Sequence, residues 1–559
     1  MIKTMGFENY KAFDKGEINL KPITILLGPN SVGKSSLMQL ILLLQQTSLA
    51  DKDYKSPLRL NGGFVSLGEN LNLMKNKEKS KILKIHLKYN NGILKIIENM
   101  FKSLKQSISY SLIDCLPLIT EYSKSEINFT DNTNDLIDTY LESKKFHNYD
   151  LLEKLICKMN RKDFEVIFQL IKNFDCHENN VLHNFYNKKL VIHRRFENDY
   201  TNIFFDIDNL DLQEFFAIYD LFTGILKNKK DFLDITYALK IRDEDFYLDN
   251  FIIKQNEKKV LFVKFNTFEE TTSSISIFDS DYINNSTLLQ KTTENIGKIF
   301  TANTTIFDFL KKPTETTNSL FCSLIYELLY KINDGLKDFF KPNRINYVSP
   351  IRAHPQRYYF LDKAKINTNV DTLDGDSIAE VLKKNPDLKI KVNNWLKKFN
   401  LQIDVKNLKD IIHSLTIRTN SLNLDITDVG FGISQILPVI IQGFFSKPKS
   451  TTLIEQPEIH LHPQMQADLA DLFIDIINTQ EKKLIIETHS EYLLKRLRRR
   501  ISEGVISHED VAIYFVEAED NNSVIRQVPI EEKGHFEWPT NFYGGELLND
   551  ITEFINNQN

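Results

Sequence analysis

The sequence predicts an α/β protein: a mixed sheet flanked by helices, with an antiparallel β subdomain and a large, mostly helical insertion. Three observations point there. An apolar strand runs into a glycine-rich loop and then a helix near the N-terminus, in ITILLGPNSVGKSSLMQLILLLQQT. Apolar strands alternate with helices after residue 340. Between them lies a glycine-poor stretch with helical spacing.

The bulk properties fit this class. A chain of 559 residues exceeds what one core usually spans. Its 42% hydrophobic and 26% charged residues are those of an ordinary soluble protein. A net charge of -5 excludes a uniformly basic coat for nucleic acid and leaves room for a local basic patch. The N-terminal MIKTMGFENYKAF lacks a signal-peptide core, and LMQLILLL and ILPVIIQGFF are too short to span a bilayer, so no membrane association is expected. Four cysteines (Cys115, Cys157, Cys176, Cys322) form no CxxC pair and read as reduced thiols of a cytoplasmic protein.

Residues 1–100 are expected to form a first lobe. Strands at IKTMGFENYKAF and EINLKPITILLG flank a turn at Asp14–Gly16, the buried helix SSLMQLILLLQQT follows, and ILKIHLKYNNGILKII reads as a hairpin about Asn-Asn-Gly. Residues 101–235 read as the helical insertion, a candidate arm for docking a partner. Residues 236–340 return to strand alternation in TYALKIRDEDFYLDNFIIKQNEKKVLFVKF and end in the helix NSLFCSLIYELLYKINDGLKDFF, completing that lobe. Residues 341–559 form the second lobe, with strands at TTLIE and KLIIET and a closing hairpin in VAIYFVEAEDNNSVIRQVPI.

The chemistry starts at Gly28, Pro29, Asn30, Ser31, Val32, Gly33, Lys34, Ser35 and Ser36. They fit GxxxxGK[ST] in its required strand–loop–helix context. The glycines let backbone N–H groups wrap a polyphosphate, and the helix N-terminus adds partial positive charge. Lys34 is expected on the β and γ phosphates and Ser35 on Mg²⁺. A metal acid is needed, and Glu455, at the C-terminal end of the strand TTLIE, is the natural second ligand.

The polarising group for an attacking water is less determined. Gln456 can orient water but cannot take its proton. Glu458 reads either as the base or as a carboxylate favoured by a helix N-terminus. His460 and His462, two residues apart on a loop, read as structural rather than as a metal pair. His489, at the tip of LIIETHS, can reach the γ-phosphate or the water, with Ser490 placed to cap the next helix. In VGFGISQ, Gly430, Gly432, Ser434 and Gln435 lead into an apolar helix, a second phosphate-suited helix start.

In this order GPNSVGKSS, VGFGISQ, EQPEIHLHP and ETHS resemble the ATP-binding-cassette ATPases of the soluble RecF/SMC-like and OLD-like branch, over roughly residues 1–100 and 340–559. The resemblance implies ATP and Mg²⁺ as ligands. It also implies a homodimer or higher oligomer sandwiching ATP, with Gly432, Ser434 and Gln435 completing the partner's site. Gln45 and Gln46 lie in the phosphate-loop helix, the wrong place for that branch's metal-contacting glutamine. NYVSPIRAHPQRYY and GHFEWPTNFYGGELLNDI are similar to a bacterial ATPase group of anti-phage defence islands, which is partnered with an HNH nuclease and carried in some operons by a retron with its reverse transcriptase. That resemblance implies a switch controlling a separate nuclease. The alternative is a stand-alone DNA-repair or DNA-end-binding ATPase.

No Toprim or HNH array is read in the chain, and Cys176, His177 and His183 make a poor zinc site, so cutting is expected from another polypeptide. Lys495, Arg496, Arg498, Arg499 and Arg500 read either as a contact for nucleic-acid phosphate or as a solvated helix face. Arg352 reads as a partner for phosphate or for an acid across the domain.

Overall fold

The computed structural model describes residues 2–51, 53–90, 92–105, 135, 158–166, 212–229, 231–266, 274–283, 286–301, 304–313, 319–352, 354–360, 376–409, 412–419, 422–520, 522–538, 553 and 555–558. Most of the expected insertion lies outside these residues, as do Cys115, Cys157, Cys176, His177, His183 and most of GHFEWPTNFYGGELLNDI.

Two large sheets organise the described residues. The first is antiparallel and runs in the order β2 (Phe13–Asn19), β1 (Ile2–Tyr10), β4 (Leu83–Tyr89), β5 (Leu233–Arg242), β6 (Asp245–Gln255), β7 (Lys258–Phe265), β8 (Ile275–Asp279). The second runs β17 (Asn522–Val528), β16 (Val511–Glu519), β3 (Ile23–Leu27), β15 (Lys483–Glu487), β14 (Thr451–Glu455), β9 (Ile345–Val348), parallel throughout except for the edge strand β17. A small sheet joins β10 (Tyr359–Phe360), β12 (Ile412–Arg418), β11 (Gln402–Lys409) and β13 (Asn423–Asp425).

The parallel sheet is buried on both faces, which is why ITILL, TTLIE and KLIIE are continuous apolar runs rather than alternating ones. Period-2 geometry sends Leu26, Leu453, Ile485 and Val516 into the core shared with the antiparallel sheet. Ile25, Ile454, Ile486 and Phe515 face the other core. The first core takes in α1 (Lys34–Ser48), α2 (Leu212–Lys227), α3 (Ser286–Gly297) and α4 (Leu320–Phe340). The second takes in α5 (Asp376–Lys384), α6 (Pro386–Leu396), α7 (Phe431–Phe445), α8 (Pro463–Asn478) and α9 (Glu491–Ser502). No described helix is long and apolar enough to cross a membrane.

Two local expectations are corrected. The segment after Asn-Asn-Gly is helical over 93–105, not a returning strand. Ile93, Ile97, Phe101 and Leu104 are its buried residues, and that is helical spacing. The first reversal falls at Lys11–Ala12, one turn earlier than Asp14–Gly16, which lies inside β2. Gly16 is needed for close packing instead: a Cβ there would stand 2.5 Å from the Phe7 ring and 2.7 Å from Ile525. The closing hairpin forms as β16–β17, and β16 also pairs in parallel with β3 beside the phosphate loop.

Candidate functional site: a phosphate loop facing two in-register carboxylates

β3 delivers the loop to the carboxyl edge of the parallel sheet. Gly28 turns it with φ +138°, and a Cβ there would lie 2.0 Å from the Val516 carbonyl oxygen. Gly33, at φ +103°, passes over the Phe13 ring, where a Cβ would meet carbon at 2.8 Å. No L side chain fits either position. Between them Pro29, Asn30 and Ser31 are exposed while Val32 is buried, so the loop is anchored at one residue and open at its crest. α1 then starts with Lys34, and Ser36 N–H donates to the Gly33 carbonyl at 3.0 Å. Tyr10 donates its hydroxyl to the Ser36 carbonyl at 3.1 Å, tying the helix start to the antiparallel sheet.

Lys34 is buried, and its Nζ donates to the carbonyls of Pro29 (2.7 Å) and Gly28 (3.0 Å). Burial depresses its pKa, while Glu487, Glu458 and Glu455 act to raise it. Ser35 donates its hydroxyl to Glu487 Oε2 at 2.9 Å, and Glu487 Oε1 stands 3.8 Å from Lys34 Nζ. Glu455 and Glu487 end adjacent parallel strands as direct register partners. Tyr347, from β9, donates its hydroxyl to Glu455 Oε1 at 3.0 Å. Burial and the neighbouring Glu487 push Glu455 up to about 7, and burial raises Glu487 as well.

Glu487 escaped the sequence reading, which stopped at Thr488, His489 and Ser490. The available signal was an acid ending a second apolar strand, in the place where Glu455 ends its own. A hydroxyl and two carboxylates are hard oxygen donors of the kind Mg²⁺ takes, so Ser35, Glu455 and Glu487 fit that ion. Bound there, the metal would supply charge neutralisation for phosphate oxygens.

Beyond Glu455 the chain turns sharply. Gln456 adopts φ +44° and donates its N–H to the Glu487 carbonyl at 2.8 Å, lashing the turn to β15. Arg352 is the brace below it. Its Nη2 donates to the carbonyls of Glu455 (2.8 Å) and Gln456 (3.2 Å), while Nε and Nη1 are buried and find no hydrogen-bond partner among the described residues. Burial lowers its pKa to about 10, against the pull of Glu458 and Tyr347. Arg352 therefore holds backbone, where phosphate or an acid across the domain was expected.

Glu458 Oε1 accepts the His489 N–H at 2.6 Å, and Oε2 is buried. Burial raises its pKa, and the His489 hydrogen bond and Arg352 act to lower it. The His489 ring is exposed at the strand end; partial burial and the Lys34 charge hold it below the ordinary imidazole value. Ser490 caps α9, accepting from Leu493 N–H at 3.2 Å and donating to Gln466 at 2.7 Å. His462 caps α8 through Gln464 N–H, the structural role expected of it.

The start of α7 packs on the same turn: a Cβ on Gly432 would lie 2.5 Å from the His460 carbonyl oxygen. Gly430, at its cap, is exposed, whereas Ser434 and Gln435 are buried at 6% and 3% exposure. Gln45 donates to the Ile345 carbonyl, and Gln46 clasps Arg59, Phe64 and Val65, so both glutamines are structural braces. Among the described residues no group of three or more His, Cys, Asp or Glu is placed to hold a metal ion by itself.

The phosphate loop leaves a central parallel strand, the strand that ends in Glu487 lies beside it, and the strand that ends in Glu455 lies beyond. The chain belongs to the AAA ATPase domain family, which matches residues 1–494, and residues 506–553 match a family described as Protein of unknown function (DUF3696). No curated protein gives a match. Among solved structures the chain is similar to an SmcHead bound to the C-winged helix domain of ScpA (8% identity, 95% of this chain and 99% of that chain, TM-score 0.36). It is similar also to the SMC head domain from Thermotoga maritima (8% identity, 95% and 99%, TM-score 0.33). A third is the Smc head domain with an extended coiled coil bound to the C-terminal domain of ScpA, from Pyrococcus furiosus (10% identity, 94% and 96%, TM-score 0.32).

Proposed function

We propose that this ATPase is a nucleotide-dependent switch that hydrolyses ATP slowly and controls a separate nuclease in anti-phage defence. The observation that carries the reading is the coupling of Glu458 to His489: one carboxylate holds the backbone of the switch histidine while Gln456, not a second acid, follows Glu455. Such a site binds triphosphate firmly, and a small rearrangement of one turn gates its turnover. Lys34 and the loop N–H groups take the β and γ phosphates, Ser35 and Glu455 orient Mg²⁺, and Glu458 accepts a proton from water that Gln456 and His489 position. The exposed Gly430 cap of α7 supports a composite site, in which the start of α7 in one protomer closes over the ATP of another; Ser434 and Gln435, expected to touch that ATP, are buried within their own protomer and support the helix start instead.

The finer likeness is to PtuA, the ATPase of the Septu system, whose partner is the HNH nuclease PtuB and which some retron operons carry. It rests on NYVSPIRAHPQRYY and on the C-terminal GHFEWPTNFYGGELLNDI. In this reading the protein works in the cytoplasm and the 101–235 insertion docks the partner. Co-expression with the neighbouring genes tests it. A nuclease should co-purify, and its cutting should change between wild type and Lys34→Ala. A chain that purifies alone and whose ATP turnover rises with added DNA overturns this in favour of a RecF-like repair ATPase.

A further inference from the structure

The basic run of α9 divides into two sets. Arg496 and Arg500 face inward, bonded to Asp468 and Asp471 of α8 at 2.6–3.1 Å. Lys495, Arg498 and Arg499 face the other way. With Ser502 on the same helix and Lys533 and His535 on the segment after β17, they line an open cleft of about 420 Å³. Arg498 is held rigidly there: its guanidinium stacks 5.0 Å from the Phe536 ring centroid and 5.9 Å from that of Trp538, and its Nε donates to the Gly534 carbonyl at 3.3 Å. Lys495 and Arg499 touch Glu491 and Glu503 one turn away along α9, yet neither acid lines the cleft.

We propose that this cleft binds the phosphate backbone of a polynucleotide. A chain of net charge -5 gathers four cations and a histidine around one opening with no acid in its lining, so a polyanion is the complementary ligand. Residues three and four apart on a helix sit ~5–6 Å from one another, so Lys495, Arg498 and Arg499 form one charged edge opposite Lys533. A guanidinium fork that is already oriented suits phosphate oxygens, and the aromatic pair behind Arg498 orients it. An acidic peptide is the competing ligand; a nucleic-acid backbone is favoured because it presents one charge at every unit to a row of fixed cations. The site is separate from the phosphate loop and does not depend on the switch reading.

The test is fluorescence anisotropy of the full chain with labelled single-stranded DNA, single-stranded RNA and duplex DNA of equal length, between low and physiological salt. Wild type should bind at least one of them. The affinity should fall with salt at a slope of roughly -3 for four phosphates on a single strand. Lys495→Glu with Lys533→Glu should weaken binding at least ~10-fold and flatten the slope by about 1 or more. The neutral pair Lys495→Gln with Lys533→Gln should fall between, which separates lost charge from a misfolded helix. Lys34→Ala should bind nucleic acid like wild type, keeping this outcome apart from that of the switch. No binding by wild type, equal binding by the charge-reversed pair, or preferential binding of a polyglutamate peptide each overturns the proposal.

Discussion

Glu455 and Glu487 sit side by side at the ends of two strands beside one lysine, so the carboxylates outnumber the cation at this edge. Metal-free triphosphate is repelled by that balance, and a bound divalent ion reverses it. Glu487→Gln is expected to strengthen metal-free ATP binding by about tenfold, the effect of ~1.4 kcal/mol of relieved repulsion, and to make binding less dependent on Mg²⁺. Titration of a fluorescent nucleotide with and without Mg²⁺ reads both; unchanged curves would place Glu487 outside the charge balance. Lys34→Ala removes the cation that all the surrounding acids oppose and should cost at least ~100-fold in nucleotide affinity, measured in the same assay. The pH dependence follows from Glu455. Its folded pKa, about 7, lies above the unfolded value near 4.5, so its contribution to stability is full below 4.5 and is lost as pH rises through 7. The nucleotide-free protein should therefore lose more melting temperature between pH 5 and pH 8 than Glu455→Gln does. Metal binding runs the other way, strengthening as Glu455 ionises.

At the level of elements, the segment 455–460 is hemmed in from three sides: it is bonded by Arg352 below and by β15 through Gln456 N–H, and the His460 carbonyl packs closely against Gly432 of α7. Glu458 belongs to this turn, so its function depends on all three. Glu458→Gln should slow single-turnover hydrolysis while leaving ATP binding intact; unchanged turnover would move the base role to His489. Gly432→Ala pushes a Cβ into backbone that has nowhere to move, and should lower hydrolysis more than it lowers nucleotide affinity. Arg352→Ala takes the donor from the buried Glu455 carbonyl and the partly buried Gln456 carbonyl, at a cost of ~1–3 kcal/mol, and should show a lower melting temperature together with slower turnover. The brace explains why an arginine two residues beyond Pro350, at a strand exit, was legible as important but not in its role: its partners are main-chain atoms a hundred residues away.

For the whole molecule, the parallel sheet divides the two cores and carries the loop, Glu455, Glu487 and His489 on one edge. The start of α7 packs on that edge through the 455–461 turn, so in the proposed sandwich a second protomer closing over the nucleotide would act directly on the turn that carries Glu458. Sedimentation of Glu458→Gln with ATP and Mg²⁺ should give a mass at least double that of Lys34→Ala under the same conditions. Equal masses would remove the sandwich from the mechanism and leave a monomeric switch.

What the sequence determined by itself is the chemistry that local backbone dictates. Gly28 and Gly33 occupy conformations only glycine takes readily, ITILL and TTLIE are apolar because both faces are buried, and Ser490 and His462 cap helices from one turn away. These depend on neighbours within a few residues, so they can be read along the chain. Tertiary structure alone decided that Glu487 faces Ser35, that Arg352 braces Glu455 rather than a ligand, that Gly16 serves packing rather than a turn, and that two of the five cations on a basic helix pair with Asp468 and Asp471. Each of those depends on strand order and helix docking, which bring together residues tens to hundreds of positions apart, and no local preference encodes which of many such partners a buried side chain will meet.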